Sequence, residues 1–139
     1  MRLTVTTPRG YLVQIEADEI AAPGVLGEFG VLPGHIPFMS VLKPGVLSYR
    51  TRDGAKHLAV GDGILQVVRT ADGDKVDVLV DRGEHGKDVD REAARKELAA
   101  VDAELAKGQA GTLAELKPVQ DRRAWAAAKV EAAGRSGAH

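Results

Sequence analysis

Histidines and carboxylates are the side chains in this sequence most able to do chemistry, and their spacing argues against it. His35, His57, His85 and His139 stand singly, so none has the neighbouring histidine and carboxylate that a strand-borne metal site requires. Asp72 with Asp74 and Asp88 with Asp90 are paired, but they lie where the chain reads as a turn and a helix cap. The chain has no cysteine, which excludes thiolate metal ligands and disulfides. No serine sits in an elbow-type context, and Gly27-Glu28-Phe29-Gly30 lacks the lysine and following helix of a phosphate-cradling loop. His35 follows Pro33-Gly34 and reads as a turn residue bonded to backbone rather than as a general base. These patterns describe a binding protein.

The element that must position such residues is residues 27–47. Gly27, Gly30, Gly34 and Gly45 alternate there with Pro33, Pro37 and Pro44. Prolines fix φ and glycines admit positive φ, so the stretch reads as a stiff, shaped surface connection. Phe29, Val31, Leu32, Ile36 and Phe38 between its turns set it apart from a flexible polar loop.

Composition narrows the function further. A net charge of −1 over 139 residues gives no general attraction to nucleic acid or an anionic membrane. One Trp, two Tyr and two Phe leave little for a base-stacking platform. No stretch approaches a membrane span and the first residues lack a secretory apolar run, so a cytosolic protein is expected.

The chain divides near Gly86 into a β-rich part, residues 1–86, and an Ala, Glu, Lys, Arg and Leu-rich part, residues 87–139. Alternating apolar and polar residues predict strands over 3–7, 11–16, 46–51, 57–60, 64–70 and 76–80. Asp53-Gly54, Asp62-Gly63 and Asp72-Gly73 supply hairpin signals between them. Roughly seven or more short strands predict an antiparallel sandwich or flattened barrel. In the second part Asp88 or Asp90 caps a helix with Ala94, Leu98, Val101 and Leu105 on one face. Residues 108–111 end it. Thr112 and Glu115 offer a capping box, but Pro118 would fall inside a helix begun there. The second helix is therefore expected from Pro118 to Ala133, with Val119, Ala126, Val130 and Ala133 along one stripe. The fold class is α+β, a β-sandwich followed by a helical hairpin. The alanine stripe holds that hairpin weakly, which allows docked and extended forms to interconvert. Lys117, Arg122, Arg123, Lys129 and Arg135 outnumber Asp121 and Glu131, which suits an acidic partner; from charge alone a solvated face is the plainer reading.

The run Gly-Glu-Phe-Gly-Val-Leu-Pro-Gly-His-Ile-Pro-Phe at 27–38, Leu42-Lys43-Pro44-Gly45-Val46, and Gly61-Asp62-Gly63-Ile64-Leu65-Gln66-Val67 resemble the epsilon subunit of bacterial F-type ATP synthases. The similarity covers essentially the whole chain and is weaker in the helical half. It implies a ten-stranded sandwich and a non-catalytic rotor subunit. That subunit binds gamma and the membrane c-ring, and so couples proton flow to ATP synthesis at the cytoplasmic face of the bacterial plasma membrane. Membrane association would come only through the complex. Glu28 matches the acidic residue facing the c-ring, although an exposed carboxylate there is equally a solvated one. His35 matches the gamma-facing histidine, with Gly34 and Pro37 shaping its loop. The family's helices inhibit ATP hydrolysis by extending into the alpha and beta head. Arg122, Arg123 and Lys129 match that basic helix. Some members bind regulatory ATP through an Asp-x-x-Arg-Ala pattern and an arginine on the second helix. Here Asp90 and Arg123 occupy such positions, but Ala93 stands where the first arginine belongs, so no ATP cofactor is expected. The alternative is a free-standing β-sandwich that binds a small ligand and carries a helical tail.

Overall fold

The computed structural model describes residues 1–108 and 113–137. Ten strands come first: β1 (Arg2–Thr7), β2 (Gly10–Glu16), β3 (Glu19–Gly24), β4 (Gly27–Val31), β5 (Phe38–Leu42), β6 (Gly45–Thr51), β7 (Gly54–Val60), β8 (Gly63–Thr70), β9 (Gly73–Val80) and β10 (Gly83–His85). A 3-10 turn at Gly86–Asp88 leads into α1 (Arg91–Ala106) and α2 (Leu113–Arg135).

Hydrogen bonding runs β10-β7-β6-β3-β5-β8-β9-β1-β2, with β4 added to β3. The path is thinnest between β3 and β5, where Gly24 and Leu42 are the paired residues. The sheet therefore folds there into two layers, β10-β7-β6-β3-β4 and β5-β8-β9-β1-β2. Alternate residues of both layers meet in one core: Leu3, Val5, Ile20, Leu47, Leu58, Val60, Leu65, Val76 and Val78 are fully buried. The open edges of β2 and β10 are bridged by a side chain, His85 Nε2 lying 3.1 Å from the Leu12 carbonyl oxygen.

Three features differ from the sequence expectation, each for a physical reason. One strand pair, β1 with β9, is parallel. The long stretch of chain between them lets the first strand enter beside the ninth in the same direction. Gly61-Asp62 closes no hairpin, because β7 pairs with β6 and β10 while β8 pairs with β5 and β9. Its backbone bonds go instead to the β9–β10 connection, Gly61 N donating to Arg82 O and Asp81 N to Asp62 O, both at 2.9 Å. Finally, residues 113–117 are helical and Pro118 lies inside α2 rather than at its start. Pro118 removes one bond, to the Ala114 carbonyl, in the second turn, and the ladder of the other residues of the 23-residue helix is kept. The Thr112 capping position and most of the break after α1 lie outside the described residues.

Asp90 caps α1, its Oδ1 accepting from Ala93 N at 3.0 Å. The expected stripe is observed: Ala94 and Val101 are buried, Leu98 and Leu105 half-buried. The stripe on α2 is two-sided. Ala133 and Val130 face Val89 and Ala94 in one cluster, whereas Trp125, Ala128 and Ala132 pack on Val46 of β6 and Ala59 of β7 in another. Helix α2 thus lies between α1 and the sandwich, which is why alanines surround it and its apolar moment is spread.

The approach is close where the chain leaves the sheet. A Cβ on Gly86 would lie 2.4 Å from the Ala132 carbonyl oxygen and 2.2 Å from Ser136 Oγ. Gly86→Ala is expected to push α2 off β6–β7 at a cost of about 1–3 kcal/mol. The Trp125 fluorescence transition in a thermal melt should move to lower temperature, with the sheet transition followed separately by circular dichroism.

Candidate docking surface

Residues 27–38 divide between a strand, a turn and the start of another strand. Gly27 to Val31 pair with β3 as β4, and Phe38 begins β5, so the loop itself is Leu32 to Pro37. Part of the stretch read as a connection is therefore sheet, because only its prolines, at 33 and 37, lack the donor that a ladder needs. Leu32-Pro33-Gly34-His35 is a tight turn closed by His35 N donating to Leu32 O at 3.1 Å. Pro33 presets the second position, and Gly34 supplies φ of 85° at the third.

The turn is braced from outside. Gly34 N donates to Asp74 Oδ2 at 2.6 Å, and the Gly34 carbonyl accepts from Arg69 Nη2 at 3.3 Å. Arg69 and Asp74 are themselves 3.5 Å apart. Both backbone polar groups of Gly34 are thus held by the end of the β8–β9 hairpin. The Gly34 N–H bond and the Arg69 charge hold the Asp74 carboxyl below its ordinary value. In the sequence Asp74 reads as a turn residue, and Arg69 carries no signal of its own. A side chain distant in sequence and reaching a backbone amide leaves no local pattern.

His35 donates from Nδ1 to the Ile36 carbonyl at 2.8 Å and rests on Phe38, ring centroids 4.8 Å apart. Phe38 in turn meets Phe29 edge-on at 5.7 Å. No acid or nucleophile shares a bond with His35, and among the described residues no cluster of histidines and carboxylates could hold a metal. Glu28 is exposed on β4, and Pro37 is exposed beside β5. Glu28 and His35 line one open groove of about 550 Å³ with Val25, Leu26, Phe29, Phe38, Met39 and Val41. Leu26 is fully exposed at the β3–β4 turn, and Val25, Leu32, Ile36, Met39 and Val41 are more than half exposed. This apolar rim is not among the residues expected from the sequence. Its available signal was Val25-Leu26, an apolar pair in a two-residue hairpin turn where polar residues are usual.

The basic helix residues are already partnered within the chain. Arg122 bonds Glu104, Arg123 Nε meets Asp102 Oδ1 at 2.6 Å, and Lys129 Nζ lies 3.3 Å from Glu97 Oε2, all across α1 and α2. Asp90 is occupied as the cap at the start of α1, whereas Arg123 is paired with Asp102 about three turns further along it.

Residues 1–86 match the family model described as ATP synthase, Delta/Epsilon chain, beta-sandwich domain. The chain belongs to this ATP synthase delta/epsilon family. It is 40% identical over 107 residues to the ATP synthase epsilon chain of Geotalea uraniireducens, covering 77% of this chain and 75% of that one. The epsilon chain of Thermodesulfovibrio yellowstonii is 40% identical over 112 residues, 80% of this chain and 76% of its own. The fold is shared with a chain in a structure of the Euglena gracilis mitochondrial ATP synthase (TM-score 0.74, 24% identity, 94% of this chain and 79% of that one). It is shared also with a chain in the central stalk and c-ring structure from Tetrahymena thermophila (TM-score 0.62, 18% identity, 95% of each).

The brace predicts a local pH dependence for this delta/epsilon sandwich. A carboxyl lowered on folding stabilises the turn above its ordinary value near ~3.9, and that contribution fades as pH falls through the lowered value. Asp74→Ala should speed hydrogen exchange at the Gly34 and His35 amides at neutral pH and leave exchange in the β1–β9 core unchanged.

Proposed function

We propose that the chain is the epsilon subunit of a proton-translocating ATP synthase, a non-catalytic part of the rotor's central stalk. Residues 1–86 form its coupling domain and residues 87–139 its regulatory domain. The carrying observation is the apolar groove beside Glu28 and His35, stiffened by the Asp74 and Arg69 brace, on a member of this family. Rigid exposed apolar surface of this kind suits a permanent subunit interface and the transmission of torque. Gamma and the c-ring are its partners on this reading, with Glu28 toward the ring and Gly34, His35 and Pro37 toward gamma. The subunit then sits peripherally at the cytoplasmic face of the bacterial plasma membrane. Among the described residues, no helix is long and apolar enough to cross a membrane. Leu26→Asp with Met39→Asp should abolish co-purification with gamma while the isolated chain keeps its melting temperature. Unchanged co-purification would move the gamma interface away from this groove, and a native chain that does not co-purify with gamma would favour the free-standing binding module.

The helices regulate hydrolysis through an equilibrium in which α1 competes with the beta subunit for Arg122, Arg123 and Lys129. Glu104, Asp102 and Glu97 satisfy those cations in the docked form, and exposed pairs contribute up to about 1 kcal/mol each. Asp102→Ala with Glu104→Ala should therefore strengthen inhibition of ATP hydrolysis by the assembled enzyme, by up to about fivefold per lost pair. Arg122→Ala with Arg123→Ala should relieve inhibition. Equal rates in all three assemblies would remove the inhibitory role. ATP does not regulate the equilibrium on this reading, since Ala93 offers no guanidinium; a calorimetric titration of the full chain with ATP should give no saturable heat.

A further inference from the structure

The last turn of α2 lies over the outer face of β6 and β7, and one titratable group is caught beside it. His57 on β7 is half-buried, with Nδ1 2.7 Å from Ser48 Oγ on β6. Next to it a groove of about 190 Å³ is lined by Glu19, Ser48, Arg50, Ala55, His57 and Arg135. The charges nearest the imidazole come from β3, β6 and α2. Glu19 of β3 and Arg50 of β6 approach each other at 3.8 Å. On β7, Lys56 alternates to the opposite face and pairs with Tyr49. From α2 comes Arg135, whose Nη2 bonds Glu131 Oε1 at 2.5 Å. Free carbonyls at a helix C-terminus favour a nearby cation, but those of Ala132 and Gly134 already accept from Ser136 N and Gly137 N.

We propose that His57 makes the docking of α2 pH-sensitive: a neutral imidazole lets the helix sit on β6 and β7, and protonation places a second cation beside Arg135 and loosens the last turn from the sheet. Burial first, and then the Arg135 charge, hold the imidazole below its ordinary value in the docked form. The undocked form accordingly binds the proton more tightly. Docking has its full strength above the ordinary value near ~6.5, weakens about tenfold per pH unit down to the lowered value, and then levels off. The inference concerns docking alone and stands whether or not the released helices inhibit hydrolysis.

The single tryptophan of the chain reports on the event. Trp125 packs on the β6–β7 face with the Arg82 guanidinium 4.6 Å from its ring centre. Urea titrations of the full chain followed by Trp125 fluorescence at about pH 7.5 and about pH 5.5, combined with an NMR titration of the histidine rings, test the proposal. The Trp125 midpoint should fall on acidification, His57 should titrate below the ordinary range, and His57→Gln should remove the fall. Arg135→Gln should raise the His57 titration point and shrink the fall, and serves if His57→Gln does not fold. A midpoint that does not move with pH overturns the proposal. So does a full native dependence in His57→Gln, which would assign it to His85 or His35. An unchanged His57 titration in Arg135→Gln would likewise overturn it.

Discussion

The contact between α2 and the sandwich is made mostly by small residues, and the unequal cohesion of the two halves follows from that. Ala128 and Ala132 meet Val46 and Ala59, so the backbones come close while little apolar area is buried. Burying one alanine methyl is worth on the order of 0.8 kcal/mol, far less than a leucine or phenylalanine. The sandwich, by contrast, encloses fourteen Leu, Ile and Val side chains from both layers. Two halves of very different cohesion are therefore joined in one chain. The weaker half is the one that carries the interhelical ion pairs.

That asymmetry gives the ion pairs between the helices their meaning. Surface pairs rarely decide a fold. Across a marginal contact, however, Arg122, Arg123 and Lys129 against Glu104, Asp102 and Glu97 are comparable to the alanine burial they accompany. Trp125, with Arg82 and Lys129 near its ring, supplies a large apolar contact at the same surface. The groove at the β3–β4 turn follows the opposite logic. Its turn is held at both backbone groups of Gly34, and Met39 and Val41 stand on the paired strand β5, which favours a fixed shape.

Much of this was legible in the sequence where the signal is local. Alternation located most strands, Asp90 capped α1 as expected, and the spacing of Ala94 and Val101 fixed the face of α1 that is buried. Pro33-Gly34 announced its turn. The failures lie where distant residues decide. Gly61-Asp62 looked like a hairpin, and only the pairing of β7 and β8 with other strands makes it a crossing between layers. Residues 113–117 were read against Pro118, although one missing bond near a helix end is tolerated. A single stripe was expected on α2, because nothing local reveals that both of its sides are covered. Asp74 at Gly34 and Arg135 near His57 are likewise products of the tertiary fold.

The central claim is that a weakly docked helical pair sits on a strongly cohesive sandwich. Native-state hydrogen exchange of the full chain, resolved by residue and repeated at low and high salt, tests it most directly. The account predicts that α1 and α2 amides exchange through an opening separate from that of β1 and β9, at lower free energy, and more easily as salt screens the interhelical pairs. Helix and core amides exchanging together, with the same free energy and the same indifference to salt, would contradict it.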